Sequence, residues 1–254
     1  MSFAVAAEAY DRFMGRYSAP LAQLFSDLAG VEPGQTVLDV GCGPGALTNE
    51  LVKRLGAESV SAVDPSRSFV AATRERYPGV RVELAGAEQL PYPDRTFDVT
   101  LAQLVVHHMA DPVAGLTEMA RVTRRNGIVA ACVWDHAGDH GPLRLFWTAA
   151  RQLDPGIDDE SLLAGTSRGH LAELFRSVGL GAVEDSILTI AVEHPSFEDW
   201  WEPFTFGVGP AGGYLTSLDP ERQNRIRQRC REMIPTVPFV VEAWAWAARG
   251  VVSA

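Results

Sequence analysis

Lysine is almost missing. Lys53 is the only one in 254 residues, so basic charge is carried by arginine. The second half therefore cannot supply the Tyr-x-x-x-Lys set of some nicotinamide-dependent oxidoreductases, which weighs against that class. Cysteine is equally sparse. Cys42, Cys132 and Cys230 form an odd set with no C-x-x-C pair, which argues against a disulfide framework or a zinc site. No apolar run approaches the roughly 20 residues of a membrane helix. The opening "MSFAVAAEAYDRFMGRY" meets Asp and Arg too early for a signal peptide. A soluble, cytoplasmic protein without a membrane partner is the expectation. The net charge of -10 makes nucleic acid a poor partner. The basic runs "RVTRRNG" and "RQNRIRQRCRE" are expected to be solvated faces. There is no repeat and no low-complexity segment, and oligomeric state is left open.

What remains is an ordinary globular composition, 46% apolar and 21% charged, enough for one α/β domain over residues 1–254. Residues 3–29 have helical spacing, with a break expected near Pro20. Strand-like runs cover 35–40, 59–64, 80–85, 97–106 and 127–135. Between them lie amphipathic segments at 44–55, 66–77 and 111–124, the second with Ser66 as cap and the third with Asp111 as cap and Pro112 in its first turn. Strands alternating with helices imply a doubly wound, mostly parallel sheet covered on both faces. Ligands of such sheets sit at the carboxyl ends of the strands. Helices are expected again at 143–153, 168–178 and 219–233, and strands at 182–192 and 239–250. Residues 193–238 interrupt the pattern with the aromatic, glycine-rich "FEDWWEPFTFGVGPAGGYL" and are expected to form a partly helical cap or lid. Trp200 and Trp201 are adjacent and cannot share one narrow helix face, so at least one is expected to be partly exposed or to face a cavity.

The stretch "VLDVGCGPGAL" (37–47) carries the chemistry. "GCGPGA" has the spacing G-x-G-x-x-G/A, a weak signal shared by several cofactor classes. Asp64 ends the next strand, 23 residues after Gly41, where a carboxylate can hold ribose hydroxyls. Asp39 precedes the turn by two residues. It would repel a pyrophosphate seated there and attract an ammonium or sulfonium. A purely structural cap for the loop is the other reading of Asp39.

The ordered series "VLDVGCGPG", "VSAVDPS", "AGAEQLPYPDRTFDVTLAQLVVHHMADP" and "RVTRRNGIVAACVWD", over about residues 35–135, resembles class I S-adenosylmethionine-dependent methyltransferases. The resemblance is to the small-molecule branch that includes ubiquinone and menaquinone biosynthesis enzymes. It implies a seven-stranded sheet with an antiparallel last strand, and transfer of a methyl group from S-adenosylmethionine to a small, apolar or aromatic acceptor. It implies that Gly41 and Gly43 meet the methionine part and that Asp39 orients its amino group. Asp64 takes the ribose, Pro65 packs near the adenine, Ala87 and Glu88 reach the adenine edge, and Ala102 and Gln103 lie beside the methionine. Tyr10 and Arg16, in the N-terminal segment 1–30, close over the cofactor. Gly86 stands where the family often has Asp, so Glu88 is the substitute candidate for the adenine contact. A non-catalytic S-adenosylmethionine-binding protein and a nicotinamide-dependent oxidoreductase are the alternatives.

His107 and His108 are the candidate general bases, since they follow a strand end and histidine titrates near neutrality. A loop-packing role is the bland alternative. No metal site is expected, because His107, His108 and Asp111 match no ligand spacing.

Overall fold

The computed structural model describes residues 7–157, 159–234 and 236–253. A short helix α1 (Ala7–Tyr10) runs through a π-wound turn, Asp11–Gly15, into α2 (Arg16–Ala29). The helix does not break at Pro20. Pro20 lies four residues after the first residue of α2, so its missing N–H costs only the first hydrogen bond, and the irregular turn lies before it.

Then follow β1 (Val37–Val40), α3 (Ala46–Leu55), β2 (Val60–Asp64), α4 (Arg67–Arg76), β3 (Arg81–Leu84) and β4 (Phe97–Gln103). The chain continues with α5 (Pro112–Val122), β5 (Thr123–Trp134), α6 (Arg144–Leu153), α7 (His170–Ser177) and β6 (Gly181–His194). It ends with α8 (Phe197–Trp201), α9 (Gly209–Ser217), α10 (Pro220–Met233) and β7 (Phe239–Val251). The sheet order is β3-β2-β1-β4-β5-β7-β6, with β7 antiparallel to both β5 and β6 and the other pairs parallel. The doubly wound, mostly parallel seven-stranded sheet is therefore present. The strand order reverses between β1 and β4, and a crevice opens there at the carboxyl ends.

Alternation along the strands divides the core into two layers. Val37, Leu101 and Cys132 face α2, α3 and α6, while Leu38, Ala102 and Ala131 face α5 and α7. Two local expectations need correction. β4 stops at Gln103 rather than at 106, because Leu104 takes a left-handed φ of 61° and Val106–His108 coil into a 3-10 turn. Ser66 precedes α4, but its side chain does not cap the helix; its N–H instead donates to Asp64 Oδ1 at 2.8 Å. Asp111 does cap α5, accepting from the Ala114 N–H.

The segment between β6 and β7 forms three helices that pack on α6 and the N-terminal turn. Both tryptophans are buried, Trp200 at 2% and Trp201 at 7% exposure, so neither is open to solvent, and Trp200 faces a small cavity with Phe13, Tyr17 and His194. The solvent side of this short helix is taken by Glu198, and both indoles turn inward. Trp200 packs on Phe204 and Phe239, and Trp201 on Phe197 and Phe146. No helix among the described residues is long and apolar enough to cross a membrane.

Candidate active site

The turn after β1 is built from backbone that side chains resist. Gly41, Gly43 and Gly45 have φ of 72°, 53° and 103°. A Cβ at Gly41 would press on Val105, whereas one at Gly43 would meet nothing within 4 Å, because Gly43 faces open space. Asp64, at the end of β2, locks this turn. Its Oδ2 accepts from the Gly43 N–H at 2.9 Å and its Oδ1 from the Ser66 N–H. Burial raises its pKa, and the two backbone donors pull it back.

Together these elements wall a cavity of about 670 Å³ at the switch point. Of the residues singled out in the sequence, Tyr10, Gly41, Gly43, Asp64, Pro65, Gln103 and His108 line it. Gln103 donates from Nε2 to the Ser18 carbonyl at 3.0 Å, and its buried Oε1 has no partner. The remaining named residues stand outside the cavity lining. Ala102 is fully buried under α5, since consecutive strand residues face opposite sides and Gln103 takes the cavity side. Ala87 is buried in the same layer, and Glu88 accepts from the Ala110 N–H at 2.9 Å. Arg16 does not reach over the cavity. It donates to Asp199 Oδ2 at 2.7 Å and lies 2.9 Å from His194 Nδ1, tying α2 to the segment after β6. Arg67 and Phe69 in the first turn of α4, and Leu104 and Val105 beyond β4, also line the cavity, and no sequence motif marks them. Their only signal was position, one turn beyond a strand end.

Asp39 lies beneath the turn, 1% exposed, and accepts from Thr48 Oγ1 at 2.6 Å. Burial is the main cause that pushes its pKa up to about 7, with Asp64 adding repulsion and Thr48 opposing. The folded protein thus keeps this proton to higher pH than the unfolded chain, whose value is near 3.8. The stability it contributes is full below about pH 4 and is lost as pH rises through 7. Urea unfolding at pH 5 and pH 8 should show Asp39→Asn gaining on the parent by a few kcal/mol over that interval, at about 1.4 kcal/mol per pKa unit. Parallel stability curves would show that Asp39 is ionised throughout.

A second cavity, about 40 Å³, adjoins the first across Tyr10, Leu104 and His108. Apolar walls of Phe13, Trp134, Leu143 and Val208 enclose His107, His136 and Glu160. Burial pushes the His107 pKa well down, and that of His108 and His136 to about 4. At neutral pH these imidazoles are uncharged and weakly basic, which limits them as general bases. Glu160 behaves oppositely, as burial pushes it up to about 7 while the Trp147 hydrogen bond holds it down.

A methyltransferase-domain family model matches residues 38–131, the segment from β1 to β5 that carries the cavity. Over these residues the chain carries a methyltransferase domain. Among its relatives, the 2-methyl-6-phytyl-1,4-hydroquinone methyltransferase of Synechocystis sp. is 30% identical over 72% of this chain and 57% of its own length. The demethylmenaquinone methyltransferase of Renibacterium salmoninarum is 31% identical over 61% of this chain and 65% of its own. The phosphoethanolamine N-methyltransferase 2 of Haemonchus contortus, solved with S-adenosyl-L-methionine, superposes with a TM-score of 0.59 at 15% identity, covering 100% of this chain and 60% of its own. The chain spans about half the length of the curated relatives it matches, from 33% to 65%. The cofactor of this methyltransferase domain is S-adenosylmethionine. The cavity suits it: the glycine cradle lets a ligand approach the backbone, and Gln103 Oε1 is an acceptor lacking a donor.

Proposed function

We propose that the chain transfers the methyl group of S-adenosylmethionine to a small, apolar or aromatic acceptor. The observation that supports this best is the pairing of the two cavities. A large one is floored by Asp64 and the glycine turn, and a small, mostly apolar one meets it at Tyr10, Leu104 and His108. Asp64 holds the ribose hydroxyls, Gly41 and Gly43 admit the methionine backbone, and Gln103 accepts from its ammonium. Asp39 acts from below through the turn, and Tyr10 closes the mouth. The bound cofactor supplies a methyl already activated on a sulfonium, with a neutral leaving group. The chain's task is then to position the acceptor and exclude water. The hydroquinone and menaquinone substrates in the relatives' names fit such an acceptor. The segment 193–238 serves as a lid, residues 7–30 cover the cofactor (residues 1–6 of that segment lie outside the described residues), and 1–254 act as one unit. Three buried free thiols fit a reducing cytoplasm.

S-adenosylhomocysteine at 100 times its dissociation constant should stabilise the protein by about 2.7 kcal/mol in a thermal melt, with NADH and NADPH inert. Stabilisation by a nicotinamide cofactor alone would overturn the proposal.

A further inference from the structure

The smaller cavity holds polar groups that the methyl-transfer reading does not use. Glu160 and His136 are both more than nine-tenths buried among apolar walls. Glu160 Oε2 accepts from Trp147 Nε1 at 3.2 Å. Its Oε1 stands 3.9 Å from His136 Nε2, which has no hydrogen-bond partner. That gap is too wide for a direct hydrogen bond. It is not an ion pair at neutral pH either, because burial keeps His136 uncharged. Nor does a guanidinium compensate the carboxylate from Arg151, which is committed to Asp139 and Asp159.

We propose that the Glu160–His136 gap is the seat for the hydroxyl of an aromatic alcohol acceptor. A hydroxyl can donate to Glu160 Oε1 and accept from His136 Nε2. Two hydrogen bonds of about 2.8 Å to one oxygen span such a gap. Size points the same way. About 40 Å³ admits a hydroxyl-sized group but not a whole acceptor. The ring therefore lies toward Tyr10, Leu104 and His108, the wall shared with the cofactor cavity, and only its polar end enters the seat. An acceptor without a hydroxyl would leave a buried carboxylate and imidazole unsatisfied, which is how such a site discriminates.

This inference rests on the methyl-transfer reading, so the experiment separates the two. Saturation with S-adenosylhomocysteine is verified first for each protein; no binding at all would sink the methyl-transfer reading. Equilibrium dialysis then compares 1-naphthol with naphthalene on the saturated protein. At pH 8, above the raised Glu160 value, 1-naphthol should bind at least about tenfold more tightly, the factor expected of a hydrogen bond to a charged group. Glu160→Leu and, independently, His136→Leu, which remove the acceptor and the donor outright, should each erase most of that difference while leaving naphthalene affinity unchanged. Either variant alone decides the matter if the other fails to fold. Equal binding of the two probes by the parent would overturn the seat, as would an unchanged preference in a folded variant. His107, His108 and Glu160 also place ligand-capable atoms within 4.8 Å of one another. Stoichiometric zinc, manganese or iron in the purified protein, lost in Glu160→Gln, would overturn the hydroxyl seat in favour of a metal centre. Tighter binding of 1-naphthylmethylammonium than of 1-naphthol would overturn it in favour of a cation site.

Discussion

Asp64→Ala is expected to lose S-adenosylhomocysteine binding by about 100-fold or more, measured by titration calorimetry. Each hydrogen bond from a ribose hydroxyl to a buried carboxylate contributes roughly 1.5–3 kcal/mol, and two are at stake. The same carboxylate also holds the cavity's shape, through the Gly43 and Ser66 N–H groups. Truncation therefore removes the ligand's partner and frees the turn that cradles it. Asp64→Asn separates the two effects. The amide keeps the volume and one acceptor oxygen, but it loses the charge and cannot accept on both sides. Its affinity should fall between those of the parent and the alanine variant. An alanine variant that is folded and binds like the parent would remove Asp64 from the site.

Some of this site was legible in the chain because its signals are local. A buried parallel strand reads as an apolar run, a left-handed turn demands glycine, and an acid at a strand end lies beside the crevice wherever the strand is placed. Asp39, Gly41, Gly43 and Asp64 sit in such a context. Ala102 and Gln103 were both placed beside the methionine, although the period of two along β4 allows only one to face the cavity. Arg16 was misplaced for a different reason. Its partners, His194 and Asp199, lie 178 and 183 residues further on, and no local pattern announces them. The burial of both Trp200 and Trp201 was hidden for the same reason, since Phe146 and Phe239, which pack on them, lie far along the chain, while Glu198 takes the solvent side of α8. Glu160 was invisible because "DDES" reads as a polar turn, and only the tertiary fold brings its carboxylate to the Trp147 indole.

Gly41→Ala is expected to be strongly destabilising. Two costs combine. At a φ of 72° an L-residue pays about 1–2 kcal/mol for the left-handed conformation. The new Cβ would also fall 2.7 Å from Val105 Cγ1, well inside contact distance. Overpacking of that kind costs typically about 1–3 kcal/mol. The sum, about 2–5 kcal/mol, is a large share of the stability of an ordinary domain. Chemical denaturation of Gly41→Ala, Val105→Ala and the double variant tests the partition. The costs have different origins, so the two substitutions should be non-additive. Val105→Ala removes both γ-methyls, so the double variant should recover the steric share and retain the left-handed share. A second effect appears in ligand binding, because Gly41 and Val105 both line the cofactor cavity. The alanine variant should bind S-adenosylhomocysteine more weakly even where it is fully folded, and Val105→Ala should restore part of that affinity. Strict additivity in the denaturation cycle would mean that the loop bearing Val105 moves aside freely. Its place against the glycine turn would then be incidental to the cavity.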